Sequence, residues 1–407
     1  MRGSRVWMLM LPMLGGALLA GPAEAQPVQS FADLVRSFEA RAVAAGVSRQ
    51  TYRAATDGLT PDPDVPALVE TQPEFTTPIW DYMDQRVSAD RIARGRRAIE
   101  RQSALFAAAA RTGVDPYLLG AIWGMETDYG AVLDNRRLIR PVVRALLTVV
   151  QQRRGRLAED EADLIAALQL IERNRMSPTE LVGSWAGAIG HLQVNPSNVV
   201  AHGVDGDGDG RIDLHGSLAD ALMTSARFLL DLGYRPGLDW GFEVTVPEGF
   251  DYLLATRETM RPVGFFAERG VRRVAGRSFA DSSTPVFLYA PAGRNGPNFL
   301  MTANYLVLKG YNFSDSYALS VAHLTDRLKG GGAFAAGWPR QTQFPNLAQR
   351  IAIQQALAQL GLYQGVIDGR IGPVSQAAYA RFQASRGQVA DGFITRASHD
   401  ELLAALR

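Results

Sequence analysis

Cysteine is absent from all 407 residues, which excludes disulfides, thiol nucleophiles and cysteine-ligated metals at the outset. Histidine is scarce. His191, His202, His215, His323 and His399 are scattered without metal-ligand spacing and read as structural or solvated groups. Neither sign of charge dominates: 42 basic residues stand against 41 acidic ones, which argues against a nucleic acid or other polyelectrolyte as partner of the whole chain. Beyond the N-terminal 25 residues no apolar run is long enough to span a bilayer, and no solenoid-type repeat is found. The glycine-rich stretch Gly183 to Ser197 lacks the Lys-Ser/Thr ending of a phosphate-binding loop.

What is present suggests an exported globular protein. Arg2 and Arg5 precede an apolar stretch from Val6 to Ala20, and Ala23-Glu24-Ala25 is a small-x-small cleavage site. Together these are the parts of a secretory signal, too short and wrongly flanked for a membrane span. The expected location is the periplasm. A chain of this length exceeds what one core usually supports, so at least two domains are expected. Up to about Leu232 the pattern is helical, with stretches at Phe31 to Ala44, Asp90 to Arg111 and Arg140 to Arg173 broken by Gly/Pro turns. Residues 239–301 change character: Phe242 to Val246 alternates like a half-buried strand, and Pro285 to Ala290 is a second strand candidate. Helix returns at Asp315 to Leu328. Residues 329–345, beginning Lys-Gly-Gly-Gly, read as a flexible linker, and residues 346–407 as a separate small module.

The strongest chemical signal is one carboxylate in an apolar stripe. Asp115 suits an N-cap, Pro116 a first helical position and Gly130 a terminator. On the helix between them Leu119, Ile122, Trp123 and Glu126 share a face. A carboxyl group at a core position is desolvated, which favours the protonated form that a general acid requires. A buried ion pair with one of the many arginines is the alternative reading of that helix alone. Asp128, two residues on, points away and is a poor partner. The stretch Gly183 to Ser197 interleaves small residues with Ser184, Gln193 and Asn195, whose neutral hydroxyl and amide groups suit hydrogen bonds to N-acetyl sugars.

The segments Trp123 to Gly130, Gly183 to Gly190 with Gln193 and Pro196-Ser197, and Gly310 to Ala318 resemble the lytic murein transglycosylase B family in order and spacing across most of residues 30–330. That resemblance implies a mainly α fold: a lysozyme-like helical catalytic domain over 26–328, with residues 239–301 as a small β-containing subdomain. It implies that Glu126 is the lone acid/base and that Ser184, Gln193, Tyr311, Asn312, Tyr317 and Arg156 line a glycan groove. The implied reaction cleaves peptidoglycan between N-acetylmuramic acid and N-acetylglucosamine without water and needs no cofactor. His191-Leu192 and Val194-Asn195 depart from the family pattern. Two other readings remain open from the residues: a hydrolytic muramidase, which needs a second carboxylate, and a non-catalytic wall-binding protein.

Two further motifs complete the reading. Asp205 to Asp213 has EF-hand spacing, with Asp205, Asp207, Asp209, Arg211 and Asp213 as candidate loop ligands, but Gly216 stands where a closing Glu is expected. The family resemblance implies a structural calcium loop here; a solvated acidic turn is the alternative, and Asp220 is a candidate substitute for the missing acid. In the last module the string Tyr363-Gln-Gly-Val-Ile-Asp-Gly-Arg-Ile-Gly-Pro373 between two helical segments resembles the peptidoglycan-binding type 1 domain, which implies a three-helix bundle.

Overall fold

The computed structural model describes residues 29–69, 77–153 and 156–407. The export signal expected at residues 1–25 lies outside them.

The main helical core is built around the helix Pro116–Thr127. Asp115 caps it through its carboxylate on the Tyr117 amide, and Pro116 opens it. Nearly every side chain on it is buried, not one stripe. A helix apolar all round belongs at the centre of a bundle, and it packs on Asp315–Leu328, Ala89–Arg101, Ser103–Ala110 and Leu218–Asp231. The partner Asp315–Leu328 runs antiparallel to it. Lys329 pairs with Asp115 at one end of the pair, and Tyr317 meets Glu126 at the other. Arg96 donates to the carbonyls of Arg327 and Leu328, occupying acceptors that the end of the second helix leaves open.

Two long helical stretches expected from sequence each divide in two. Asp90 to Arg111 is Ala89–Arg101 and Ser103–Ala110, broken at Gln102. Arg140 to Arg173 is Val142–Gln152 and Leu157–Asn174, the first ended by Arg153 in the left-handed region at φ 50°. Neither break carries the proline or side-chain cap that would announce it. Phe31–Ala44 and Asp315–Leu328 match their expected bounds, and each starts on a serine cap, Ser30 and Ser314.

Residues 241–301 hold a five-stranded antiparallel sheet. Its spatial order is Arg261–Pro262, Pro285–Tyr289, Asn298–Met301, Gly241–Thr245, Arg272–Arg273. Alternate residues serve different cores. Phe287, Tyr289, Phe299 and Met301 join the main helical core, while Val244, Val286, Leu288 and Leu300 form a small core with Phe250, Val263 and Phe266. Both faces are covered, which is why the strands read as nearly continuous apolar runs.

Residues 329–345 differ from the flexible linker expected of their glycines. Both oxygens of the buried Glu243 carboxylate accept backbone N–H groups there, from Ala335 and Ala336 at 2.7 Å each. Phe334 stacks on His323 at 4.0 Å and meets Phe299 edge-on, Trp338 lies 6.2 Å from Trp80, and Arg340 forms two bonds to Asp84. Glycine freedom is overridden by a carboxylate clamp and two aromatic anchors.

The C-terminal module is a three-helix unit, Leu347–Gln359, Pro373–Ser385 and Arg396–Ala405, around its own core of Ile353, Leu357, Tyr363, Phe382, Ile394 and Leu402. The fully buried Gln354 ties its Asp-Gly turn: Oε1 accepts from Asp368 and Gly369, and Nε2 donates to Tyr363 Oη and the Arg370 carbonyl. Gly369 sits at φ 72°, where a β-carbon is disfavoured. The module is docked, not tethered at a distance. Phe393 packs edge-on to Trp80 at 6.4 Å, and Asp391 accepts the Arg294 amide at 3.1 Å.

Candidate active site

Glu126 lies in the last turn of Pro116–Thr127, with Leu119, Ile122 and Trp123 buried on the helix as the periodicity requires. Its own side chain is only partly buried. The carboxylate is met by a hydroxyl from the antiparallel helix: Tyr317 Oη donates to Glu126 Oε1 at 2.5 Å. Tyr317 is itself buried, and burial together with the neighbouring Glu126 charge holds its phenol well above the usual range. It therefore stays a proton donor. Tyr311 is the second phenol beside Glu126, raised first by burial and then by that same carboxylate. Its hydroxyl donates to the Leu192 carbonyl at 2.8 Å and shares a contact with Ser225 Oγ.

Immediately after Glu126 the backbone takes three positive φ values in succession: 53° at Asp128, 61° at Tyr129 and 86° at Gly130. Two non-glycine residues there cost on the order of 1 kcal/mol each. The surroundings hold them in place. Asp128 pairs with Arg94 and Arg91 from the Ala89–Arg101 helix, and Arg91 also donates to the Gly124 carbonyl at 3.1 Å. Tyr129 fills a slot whose walls are two glycines: a β-carbon on Gly95 or Gly124 would come within 2.2 Å and 2.5 Å of its ring atoms or hydroxyl. Asp128 thus points away from Glu126, as expected, and toward a purpose that the sequence pattern did not disclose.

The hairpin opposite is tightly self-bonded. Ser184 donates its backbone N–H to the Ala188 carbonyl and accepts the Ala188 amide at Oγ, and Ile189 pairs with Val194. Gln193 sits at φ 48° with Nε2 donating to the Gly190 carbonyl at 2.9 Å, and Asn312 Oδ1 accepts from the Ser314 amide at 3.0 Å. Of the residues expected to line a groove, Tyr317 and Tyr311 converge on Glu126. Ser184, Gln193 and Asn312 spend side-chain bonds on shaping their own loops. His191 reinforces the arrangement: its Nδ1 accepts from the Trp123 indole at 3.0 Å, and its carbonyl accepts from Thr127 Oγ1 at 2.7 Å. Burial, helped by nearby His215 and opposed by Asp213, lowers its pKa to about 4, so the ring is neutral and Nδ1 can accept. The Trp123–His191 contact and the Arg91–Arg94 clamp on Asp128 join segments distant in sequence, so motif spacing did not disclose them.

Arg156 occupies the N-cap position of Leu157–Asn174, with its guanidinium 5.6 Å from the Phe313 ring centroid. The acidic loop brings oxygens of Asp205, Asp207 and Asp209 within 4.8 Å of one another. Asp220 does not swing outward to replace the missing Glu; its two oxygens accept the Gly206 and Asp213 amides and brace the loop from behind. A half-open cleft of about 390 Å³ lies at the other end of the Pro116–Thr127 helix, lined by Asp115, Asp239, Trp240 and Lys329.

The central helix thus presents one carboxylate to two tyrosines, beside a glycine-rich hairpin. Residues 30–326 match the family described as "Transglycosylase SLT domain", and residues 346–402 match "Putative peptidoglycan binding domain". The chain belongs to that transglycosylase family. It is similar to SltB3 of Pseudomonas aeruginosa, whose structure was solved in complex with NAG-anhNAM-pentapeptide: 37% identity, TM-score 0.85, covering 92% of this chain and 99% of that one. Soluble lytic transglycosylase SltB1 of the same organism shares the fold at 24% identity and TM-score 0.63, covering 74% of this chain and 98% of the other. Membrane-bound lytic murein transglycosylase B of Escherichia coli (strain K12) is 26% identical over 52% of this chain, and the match spans 56% of that protein's length.

Proposed function

We propose that this protein cleaves the β-1,4 bond between N-acetylmuramic acid and N-acetylglucosamine in peptidoglycan without consuming water. Glu126, protonated, gives its proton to the glycosidic oxygen as the C1–O bond breaks. The muramoyl acetamido group stabilises the resulting oxocarbenium-like centre. The Glu126 carboxylate then takes the proton of the sugar's own 6-hydroxyl, whose oxygen bonds to C1 and closes a 1,6-anhydro ring. Proton and atom counts balance with one carboxyl group. The observation that carries this reading is the Tyr317–Glu126 contact, with Tyr311 beside it. A hydrolase would need a second carboxylate to direct water. Asp128, the nearest in sequence, is committed to Arg91 and Arg94. The test is mass spectrometry of digested sacculi: Glu126→Gln should abolish anhydro-ended products, and products carrying an added water from the wild type would overturn the reading.

The same reading places the protein outside the cytoplasm, where peptidoglycan lies. No helix among the described residues is long and apolar enough to cross a membrane. Asp205, Asp207 and Asp209 bring carboxylate oxygens together in a set suited to a hard cation such as Ca²⁺ in a structural role, which the Arg211 carbonyl and Asp213 would complete by loop position. A calcium-dependent rise in melting temperature that Asp205→Ala removes would support it. Absence of any rise at millimolar calcium would refute it.

A further inference from the structure

Phe313 is anomalous. It is 66% exposed, an aromatic ring held in water while the aromatic residues around it, Tyr305, Tyr311 and Tyr317, are partly or fully buried. Burying an aromatic ring is favourable, and this one is left in water next to the two tyrosines at Glu126. The ring is not on a loose loop. The Phe313 carbonyl accepts from Lys309 Nζ, Asn312 Oδ1 ties the next amide, and Ser314 caps the helix that carries Tyr317. Phe313 therefore stands on a short fixed bridge between Tyr311 and Tyr317, the two phenols that face Glu126.

Its one aromatic-face contact comes from a separate stretch of chain. The Arg156 guanidinium lies 5.6 Å from the ring centroid, and Arg156 is itself exposed. Behind Arg156 stands Asp160, whose carboxyl burial raises to about 6 and whose charge the arginine in turn favours. One turn further on, Asp163 fixes Ser197 through its amide and hydroxyl, beside the hairpin that carries Gln193. The two residues thus come from separate segments, Phe313 from the bridge between Tyr311 and Tyr317 and Arg156 from the start of the helix whose Asp163 holds Ser197. A cation–π contact between exposed groups is weak, so it opens readily.

We propose that Phe313 and Arg156 form a clasp for one pyranose ring of the glycan strand. Phe313 is the platform that takes the ring's C–H face, and Arg156 is the jaw that donates to oxygen acceptors on its other side. A pyranose presents an apolar face of axial hydrogens and a rim of oxygens, and the pair offers one surface for each. The contact seen between the two residues is the closed state, and a sugar ring replaces it by inserting between them. The platform sets grip on the strand and not the chemical step, because Phe313 is neither acid, base nor hydrogen-bond donor. The inference rests on the transglycosylase reading above and names how that groove holds its substrate.

The test combines steady-state cleavage of purified sacculi with binding of the N-acetylglucosamine hexamer to full-length protein in the Glu126→Gln background. Phe313→Ala should raise KM about tenfold with kcat within twofold of wild type, and should weaken hexamer binding by a similar factor. Phe313→Trp should restore both, since any aromatic face serves. Arg156→Ala should move KM in the same direction. Melting temperature should be unchanged for Phe313→Ala, as expected for an exposed ring. Phe313→Ala with wild-type KM, or a loss that Phe313→Trp fails to rescue, overturns the clasp while leaving the reaction intact. Wild-type products without anhydro ends would overturn the reaction itself, and are read in the same digests.

Discussion

Tyr317 Oη donates to Glu126 Oε1 at 2.5 Å, across the interface of two antiparallel helices whose other ends are joined by Lys329 and Asp115. Each helix is therefore pinned at both ends, and the carboxylate's position is set by packing and not by its own rotamer freedom. A hydroxyl that cannot ionise stabilises the carboxylate when the proton has left and yields to it when the proton returns. Tyr317→Phe removes that donor and little volume. We expect kcat to fall about 10- to 100-fold, the free energy of one hydrogen bond to a charged group, with KM nearly unchanged. Release of anhydro-ended muropeptides measures it; a kcat within threefold of wild type would show the contact to be incidental.

Gly124→Ala should destabilise, although alanine in a helix interior is ordinarily favoured by about 1 kcal/mol over glycine. The new β-carbon would stand 2.5 Å from the Tyr129 ring, which is boxed in on its other side by Gly95. Overpacking costs about 1–3 kcal/mol, so it outweighs propensity. Displacing Tyr129 also disturbs the left-handed turn that follows Glu126, and activity should fall further than the fraction folded does. Thermal melts and kcat at a temperature well below the transition separate the two effects. A higher melting temperature would refute the slot.

Asp326 gives a pH-dependent prediction. Burial, reinforced by Asp239, raises its carboxyl to about 6, while the Trp240 indole N–H, bonded at 3.1 Å, pulls the other way. The folded chain then holds the proton more tightly than the unfolded one, whose carboxyl titrates near 3.9. Stability falls as pH rises through that window and is flat above it; a gap of roughly two pH units amounts to about 3 kcal/mol. Asp326→Asn keeps an oxygen for the indole and removes the titration. It should melt higher than wild type at pH 7.5, with the gain vanishing near pH 4. His191 and His323, both lowered to about 4 by burial, act oppositely in the same window. The difference between variant and wild type isolates Asp326, and a gain independent of pH would sink the argument.

Glu243→Ala frees the Ala335 and Ala336 amides from the clamp described above. We expect residues 329–345 to become a protease-sensitive tether, with the C-terminal module sampling wider positions by small-angle scattering, while the helical core melts within a few degrees of wild type. An unchanged scattering profile and unchanged cleavage kinetics would mean that Phe334 and Trp338 suffice.

Much of this was legible in the chain itself. The apolar face of Leu119, Ile122 and Trp123 located the Glu126 helix, and helical patterning located Phe31–Ala44 and Asp315–Leu328, because periodicity is local. The Tyr-x-Gly-x-Ile-Asp-Gly string located the last module, since its turn needs glycine at a positive φ. The order of the three family motifs likewise pointed to the neighbourhood of the carboxylate. Contacts between distant segments were not legible. Nothing near Asp128 in sequence names Arg91 or Arg94, and nothing near Gly330 announces that Glu243 will hold the linker down. The motif Gly310 to Ala318 assigned Phe313 no role, and only the fold leaves its ring in water beside Arg156. Sequence determined which residues could carry the chemistry, because type and spacing are written along the chain. Only tertiary structure decided which of them meet, because that depends on how two antiparallel helices and a hairpin pack in three dimensions.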